Sequence, residues 1–79
     1  MQSFVIIFKD GVPDAELDRQ AQRVSELGGE IAHRYTASFL RGFSARLPDS
    51  LAEQLRQETE GQRHPTIDYI EPDQPMKMQ

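Results

Sequence analysis

The fold is organised around an apolar run of strand length near the N-terminus, Phe4-Val5-Ile6-Ile7-Phe8. β-Branched and aromatic side chains favour strands, and the polar turn Lys9-Asp10-Gly11 ends the run. The run does not alternate between apolar and polar residues, so both faces of the strand carry apolar side chains. This pattern predicts either a central strand that is buried on both sides or a strand whose outer face is covered by a partner.

Two amphipathic helices are predicted, and each begins at a proline-aspartate pair. The pairs Pro13-Asp14 and Pro48-Asp49 place proline near the first helical position and an acid in the first turn, where the helix dipole favours it. Ser50 with Glu53 fits a capping box for the second helix, although Asp49 is an equally good cap. The apolar stripes that we expect to face the core are Leu17, Ala21, Val24 and Leu27 in the first helix and Leu51, Ala52 and Leu55 in the second.

Three further strands are predicted from period-two patterns, at Glu30 to Thr36, Leu40 to Leu47 and Pro65 to Ile70. The link between the first two is short enough for an antiparallel hairpin, and Gly42 indicates a bulge or a close backbone approach. In the first of these strands we expect Ile31, His33 and Tyr35 to share one face. Gly28-Gly29 ends the first helix, and residues 57–64 are expected to form a polar loop.

The predicted order is β-α-β-β-α-β within a single domain of 79 residues. Two strand-helix-strand units with right-handed crossovers interleave into an α+β, ferredoxin-like sandwich. It has a four-stranded antiparallel sheet with both helices on one face, followed by an extended C-terminal tail. We expect the domain proper to cover residues 1–71 and the tail residues 72–79. The second face of the sheet is left uncovered and is available for binding, but the fold alone names no function.

Composition excludes several classes of function. The net charge of −4 argues against a nucleic-acid partner, and the nine basic residues are scattered along the chain. There is no cysteine, hence no disulfide framework and no thiolate chemistry. No apolar run approaches the roughly 18–20 residues of a membrane span, and no signal peptide is visible. A cytoplasmic protein that is monomeric when free, with no membrane partner, is therefore expected.

Chemistry that would support an enzyme is missing from the pattern. His33 lies in a predicted strand, where we expect it to be half-buried, and His64 lies in a polar loop, where we expect it to be solvated. Neither histidine is spaced from a serine as nucleophilic catalysis would need. Metal ligation would need clustered histidines and carboxylates, and the glycines form no phosphate loop. We therefore expect no catalytic residue, no metal, no cofactor and no enzymatic activity.

Other functions of the same fold remain alternatives. Residues 41–45, Arg41-Gly42-Phe43-Ser44-Ala45, faintly match the opening of an RNA-binding signature, but the second aromatic residue is missing and the chain is acidic. A binding module with a regulatory or RNA-binding role is the alternative hypothesis, and a small hydrolase is a third.

Two carboxylates mark the point where the last strand becomes a tail. Glu71 and Asp73 flank Pro72, and Pro75 follows, so a helix is excluded and extended backbone is favoured. Carboxylates spaced i, i+2 on an extended segment point the same way, about 7 Å apart. They are either solubilising charges at a chain end or anions that address two helix N-termini of a partner, where free N–H groups favour negative charge.

Four blocks of sequence carry a resemblance to a known family. They are His33-Arg34-Tyr35, Gly42-Phe43-Ser44-Ala45-Arg46-Leu47, Leu51 with Leu55, and Pro65-Thr66-Ile67-Asp68-Tyr69-Ile70-Glu71-Pro72-Asp73. In this order they resemble the propeptide-inhibitor family of subtilisin-type serine proteases, which comprises N-terminal propeptides of these proteases and free-standing, chiefly fungal, inhibitors. The resemblance runs from about Phe4 to Asp73, and the second and fourth blocks together are specific.

The resemblance implies a mode of inhibition. The open face of the sheet would pack on two parallel surface helices of a subtilisin-like serine protease, and Glu71 and Asp73 would cap those helices. The tail would then enter the substrate cleft as an added strand and end at the catalytic serine.

The resemblance also implies a register for the tail in that cleft. Gln79 would occupy the specificity pocket, with its free carboxylate near the oxyanion hole, as in a product. Met78, Lys77 and Met76 would occupy the second, third and fourth sites back. Because the chain starts at its own methionine, a free-standing cytoplasmic inhibitor that retains some chaperone capacity is expected.

Overall fold

The computed structural model describes residues 1–73, and within them the predicted order of elements is confirmed. The elements are β1 (Gln2–Phe8), α1 (Asp14–Glu26), β2 (Glu30–Ala37), β3 (Leu40–Leu47), α2 (Asp49–Thr59), a short 3-10 helix (Glu60–Gln62) and β4 (Ile67–Pro72). The strands form one antiparallel sheet in the order β2-β3-β1-β4. This is the predicted ferredoxin-like α+β arrangement, with β1 at its centre. None of the helices in the described part is long and apolar enough to cross a membrane.

Both helices pack on one face of the sheet and enclose the core with it. From β1, alternate residues Phe4, Ile6 and Phe8 point into this core. The rings of Phe8 and Phe43 meet at 5.7 Å between centroids with an interplanar angle of 50°, a tilted arrangement that aromatic pairs favour. The helical stripes contribute Leu17, Ala21, Val24, Leu51, Ala52 and Leu55.

The prediction that Leu27 completes the stripe of α1 was wrong. The helix ends at Glu26, and Leu27 is a C-cap residue with 49% of its surface exposed. Gly28 follows with φ of +99°, the left-handed conformation that glycine adopts without steric cost. The chain turns here toward β2, so the helical spacing no longer applies to Leu27.

A β-bulge in β2 overturns the expectation that Ile31, His33 and Tyr35 share one face. Ile31 pairs with Ala45 and packs against the core, whereas His33 pairs with Ser44 on the other side of the sheet. The register shifts between them, so Ala32 is the extra residue. One inserted residue reverses the faces of all residues that follow it.

The close backbone approach predicted at Gly42 is confirmed. Gly42 has φ of +157°, and a Cβ atom built on it would lie 2.1 Å from the carbonyl oxygen of Ile6 in the neighbouring strand. No side chain fits at that distance, so β1 and β3 can lie this close only because residue 42 is glycine.

The expectations for the second helix need two corrections. Pro48 is the N-cap residue of α2 and no side chain caps the helix, so neither the Ser50–Glu53 box nor an Asp49 cap is formed. The segment expected as a polar loop also continues the helix to Thr59. Thr59 is buried and its hydroxyl donates to the carbonyl oxygen of Arg56 at 3.2 Å.

Candidate functional site

The face of the sheet away from the helices carries residues in register along all four strands, and we call the eight at its centre the open face. Directly opposed residues of antiparallel strands project to the same side, and the observed pairs therefore define the set. Its members are Val5, Ile7, His33, Tyr35, Gly42, Ser44, Tyr69 and Glu71. Because both helices lie on the opposite side, no helix among residues 1–73 covers this face.

The centre of the open face is apolar. Ile7 is only 8% exposed although no helix lies above it, Val5 is half-buried, and Tyr69 on the neighbouring strand is 42% exposed. The non-alternating run thus does belong to a central strand, as the first interpretation predicted. Its outer side is shielded only by adjacent side chains, and a partner surface would bury more apolar area there.

Ser44 lies next to this apolar centre with an unsatisfied hydroxyl. The residue is 1% exposed, and its Oγ has no hydrogen-bond partner within the described residues. It sits on β3 between Val5 of β1 and His33 of β2. A buried hydroxyl without a partner costs roughly 1–3 kcal/mol, so this position of the open face does not favour the stability of the isolated chain.

Glu71 and Asp73 lie where the sequence analysis expected them, at the end of β4. Glu71 is opposite Val5, and the N–H of Asp73 donates to the carbonyl oxygen of Ser3 at 2.8 Å. The ladder therefore continues through Asp73, and the two carboxylates project from the same side as the open face. Both residues are exposed, and neither forms an ion pair with another described residue.

The four residues predicted to enter a protease cleft are Met76, Lys77, Met78 and Gln79, and they lie outside the described residues. Their placement stays a prediction. What the structure does show is where the tail starts: at the C-terminal end of β4, beside the first residues of β1.

The residues behind the RNA-binding alternative have other roles. Phe43 is 1% exposed in the core, so its ring is not available for stacking on a base. Arg41 donates to the carbonyl oxygens of Val12 at 2.8 Å and Thr36 at 3.0 Å and forms an ion pair with Asp14. It thereby ties the start of α1 to the β2–β3 hairpin. No group of three metal-ligating side chains occurs within residues 1–73.

Both histidines differ from their expected environments. His33 is exposed on the open face rather than half-buried. His64 is half-buried rather than solvated, and its Nδ1 accepts hydrogen bonds from the backbone N–H groups of Thr66 at 3.1 Å and Ile67 at 3.0 Å. The sequence carried no signal for this turn, because a histidine acceptor three residues before a strand has no distinctive spacing.

A polar network around this turn was also missed. A hydrogen bond from Gln20 lowers the pKa of Glu16 below its usual value; its partial burial opposes this shift and Arg19 adds to it. For Glu58, burial raises the pKa, but the hydrogen bonds from Arg23 and Gln54 outweigh it and the pKa is lowered overall. Both glutamates are therefore held ionised between the helices and the start of β4.

Comparison with known proteins identifies the family. A family model described as Peptidase inhibitor I9 matches residues 3–79, almost the whole chain. An uncharacterized protein of Schizosaccharomyces pombe is 33% identical over 75 residues, which cover 95% of this chain and 88% of the relative. The predicted resemblance is confirmed, and the family is one of inhibitors rather than enzymes. The chain belongs to the peptidase inhibitor I9 family, which implies a role as an inhibitor or propeptide of subtilisin-type peptidases.

Proposed function

We propose that this protein inhibits subtilisin-like serine endopeptidases by docking its open face on two parallel surface helices of the protease. Residues 74–79 then occupy the substrate cleft in the manner of a product, with Gln79 in the specificity pocket. The observation that carries this proposal is an uncovered, apolar-centred sheet face bordered by the exposed carboxylates of Glu71 and Asp73.

The apolar centre supplies the affinity in this arrangement. Val5, Ile7 and Tyr69 would lose their remaining exposure against the protease helices, and each 100 Å² of apolar area removed from water contributes about 2.5 kcal/mol before the costs of association. Interfaces concentrate their binding energy in a few central residues. Ile7 and Tyr69, directly opposed in neighbouring strands, form that centre.

The carboxylates supply orientation. Helix N-termini present unpaired N–H groups and a partial positive charge, so two parallel helices offer two anion sites side by side. Glu71 and Asp73 project to the same side of β4 and have no competing ion pair among the described residues. The bond from Asp73 to Ser3 then fixes the direction in which the tail leaves the sheet.

The same contact gives the protein a chaperone capacity. A ligand that binds the folded protease but not the unfolded chain stabilises the folded form by mass action. The surface helices of the protease are part of its folded form, so docking on them favours refolding of the denatured enzyme.

The first test is inhibition of subtilisin by the full chain and by a chain that ends at Asp73. The full chain is expected to inhibit at or below micromolar concentration. Removal of residues 74–79 is expected to raise the inhibition constant by about a hundredfold or more, because the tail carries the cleft contacts. Circular dichroism spectra of the two chains should agree, since β4 ends at Pro72.

A double substitution tests the carboxylates separately. Glu71→Ala with Asp73→Ala is expected to raise the inhibition constant about five- to thirtyfold, since each helix cap contributes roughly 0.5–1 kcal/mol. Asp10→Ala with Glu26→Ala removes the same two charges away from the open face and is expected to leave inhibition unchanged. Equal effects of the two double variants would contradict the capping role, and no inhibition by the full chain would refute the proposed function.

A further inference from the structure

The start of β4 depends on one unprotonated imidazole nitrogen. Nδ1 of His64 accepts from the N–H groups of Thr66 and Ile67 at 3.1 and 3.0 Å, and the hydroxyl of Thr66 lies 3.4 Å from it. Ile67 is the first residue of β4. Because backbone N–H groups can only donate, Nδ1 must be the acceptor, and the ring carries its proton on Nε2.

Protonation of Nδ1 is incompatible with this turn. An N–H at that position would face two other N–H groups, and both hydrogen bonds would be lost. The carbonyl oxygen of Thr66 accepts from the N–H of Lys9 at 2.9 Å, so the same turn also joins β4 to the end of β1. The turn therefore supports the first residues of β4 at the edge of the sheet.

Charged groups from every element around the turn face the half-buried ring. They are Glu58 of α2, Glu16 and Arg23 of α1, and Lys9 at the end of β1. Burial lowers the pKa of His64 most, Arg23 and Lys9 lower it further, and the two glutamates only partly oppose this. Arg23 and Glu58 also pair with each other at 3.4 Å, which leaves the glutamate less free to stabilise an imidazolium.

We propose that His64 makes the inhibitor acid-sensitive: its protonation releases the start of β4, the strand that carries Glu71 and Asp73 to the protease. This inference rests on the proposed function, because it is the docked state that requires an ordered β4. Binding selects chains in which the turn is formed, so a protonated chain must lose its proton to bind.

The direction of the pKa shift of His64 determines how the stability of the turn depends on pH. The pKa of His64 in the folded chain lies below its ordinary value of 6.5. The unfolded or detached chain therefore binds the proton more readily. The stability that the turn contributes is complete above pH 6.5 and is lost as the pH falls toward the lowered pKa. Protease affinity is expected to fall over the same range.

The test compares His64→Asn, His64→Ala and the natural chain at pH 8.0 and pH 5.5. Asparagine keeps an acceptor oxygen near the position of Nδ1 without a titratable proton, whereas alanine removes the acceptor. Binding is measured to a subtilisin whose catalytic serine is replaced by alanine. The readout is the ratio of each dissociation constant to that of His64→Asn, which cancels titration of the protease itself.

The natural chain is expected to match His64→Asn at pH 8.0 and to bind more weakly than it at pH 5.5, by up to about tenfold, because pH 5.5 lies one unit below the ordinary pKa of 6.5. His64→Ala should be weaker than His64→Asn by a similar factor at both pH values. Because His33 lies on the open face itself, the comparison is repeated in a His33→Asn background, where the difference between the natural His64 and His64→Asn should persist. A pH dependence that follows His33→Asn instead of His64→Asn would overturn the proposal.

A second measurement separates this proposal from the proposed function. Nuclear magnetic resonance of the full free chain should show scalar coupling from Nδ1 of His64 to the amide nitrogens of Thr66 and Ile67. That coupling should vanish on acidification. If it does so in a chain that fails to bind protease at pH 8.0, the docking proposal fails while the titrating turn stands. Coupling that persists to pH 5.5 would refute the turn's acid release, whatever the binding result.

Discussion

The two faces of the same sheet differ in how much they stabilise the isolated chain. On the covered face, Phe4, Ile6 and Phe8 of β1 are buried against two helices. On the open face of the same strands, Val5 of β1 is half-buried and Tyr69 of the neighbouring strand β4 is 42% exposed. The covered face is a finished core. The open face is built from equally apolar side chains but lacks the layer that would bury them.

The buried hydroxyl groups on the two faces also differ, in whether they have a hydrogen-bond partner. Thr59, the buried polar residue on the helix side, has its hydroxyl bonded to Arg56. Ser44, its counterpart on the open face, has no partner for its hydroxyl among residues 1–73. Exposed apolar area, a buried hydroxyl without a partner and two carboxylates without an ion pair, all as seen within residues 1–73, each cost the free chain stability or contribute nothing to it. Their concentration on one face is what the proposed docking of this face on a protease would require.

The adjacent isoleucines of β1 give the largest expected difference between the faces. Ile6→Ala leaves a cavity under the helices and is expected to lower the free energy of unfolding by about 2–5 kcal/mol. Ile7 is 8% exposed but is shielded by neighbouring side chains and not by a helix, so water can enter the space left by Ile7→Ala, and the expected cost is about 1–2 kcal/mol. Urea unfolding of the two variants measures this. The effects on protease binding should follow the opposite order. Ile7→Ala is expected to bind the protease about tenfold more weakly, and Ile6→Ala, where it folds, is expected to bind with unchanged affinity.

If Ile6→Ala and Ile7→Ala lost equal stability and Ile7→Ala bound the protease with unchanged affinity, the difference between the two faces would be contradicted. In that case the open face would be part of the core energetics and not a docking surface. Because Ile6→Ala is strongly destabilised, Ile6→Val, which costs about 0.5–1.5 kcal/mol, serves as a folded control in the binding measurement.

The two hydroxyls give a smaller and opposite pair of effects. Ser44→Ala removes an unsatisfied buried group and is expected to raise the free energy of unfolding by about 1 kcal/mol. Thr59→Val removes a satisfied hydroxyl with little change of shape and is expected to lower it by about 1 kcal/mol. Thermal unfolding of both variants checks the signs. A destabilised Ser44→Ala would mean that the hydroxyl has a role in the free chain.

Most of the fold could be predicted because local signals agreed with one another. The Pro-Asp pairs at residues 13–14 and 48–49 fixed both helix starts, and Gly42 marked the close approach of two strands that the structure confirms. The bulge at Ala32 could not be predicted, since an extra residue in an edge strand leaves no trace in a period-two pattern. Leu27 was misplaced because helical spacing says nothing about where a helix ends.

The candidate site was only partly accessible from the sequence. Glu71 and Asp73 could be proposed as site residues because proline-flanked acids at a strand end are visible in the chain itself. The unpaired hydroxyl of Ser44 and the acceptor role of His64 depend on contacts between residues of different elements or on turn geometry. Such contacts arise only after the sheet register is set, and a single sequence does not encode them in any local pattern.

The most direct test of the docking claim is methyl cross-saturation in the complex with an inactivated subtilisin. Saturation of the protease protons should pass to the methyl groups of Val5 and Ile7 on the open face. The methyl groups of Val24 and Leu51, which lie in the core between sheet and helices, should keep their intensity, as should the Ala15 methyl on the outer side of α1. Attenuation at Ala15 with none at Val5 and Ile7 would place the protease on the helical layer and contradict docking through the open face.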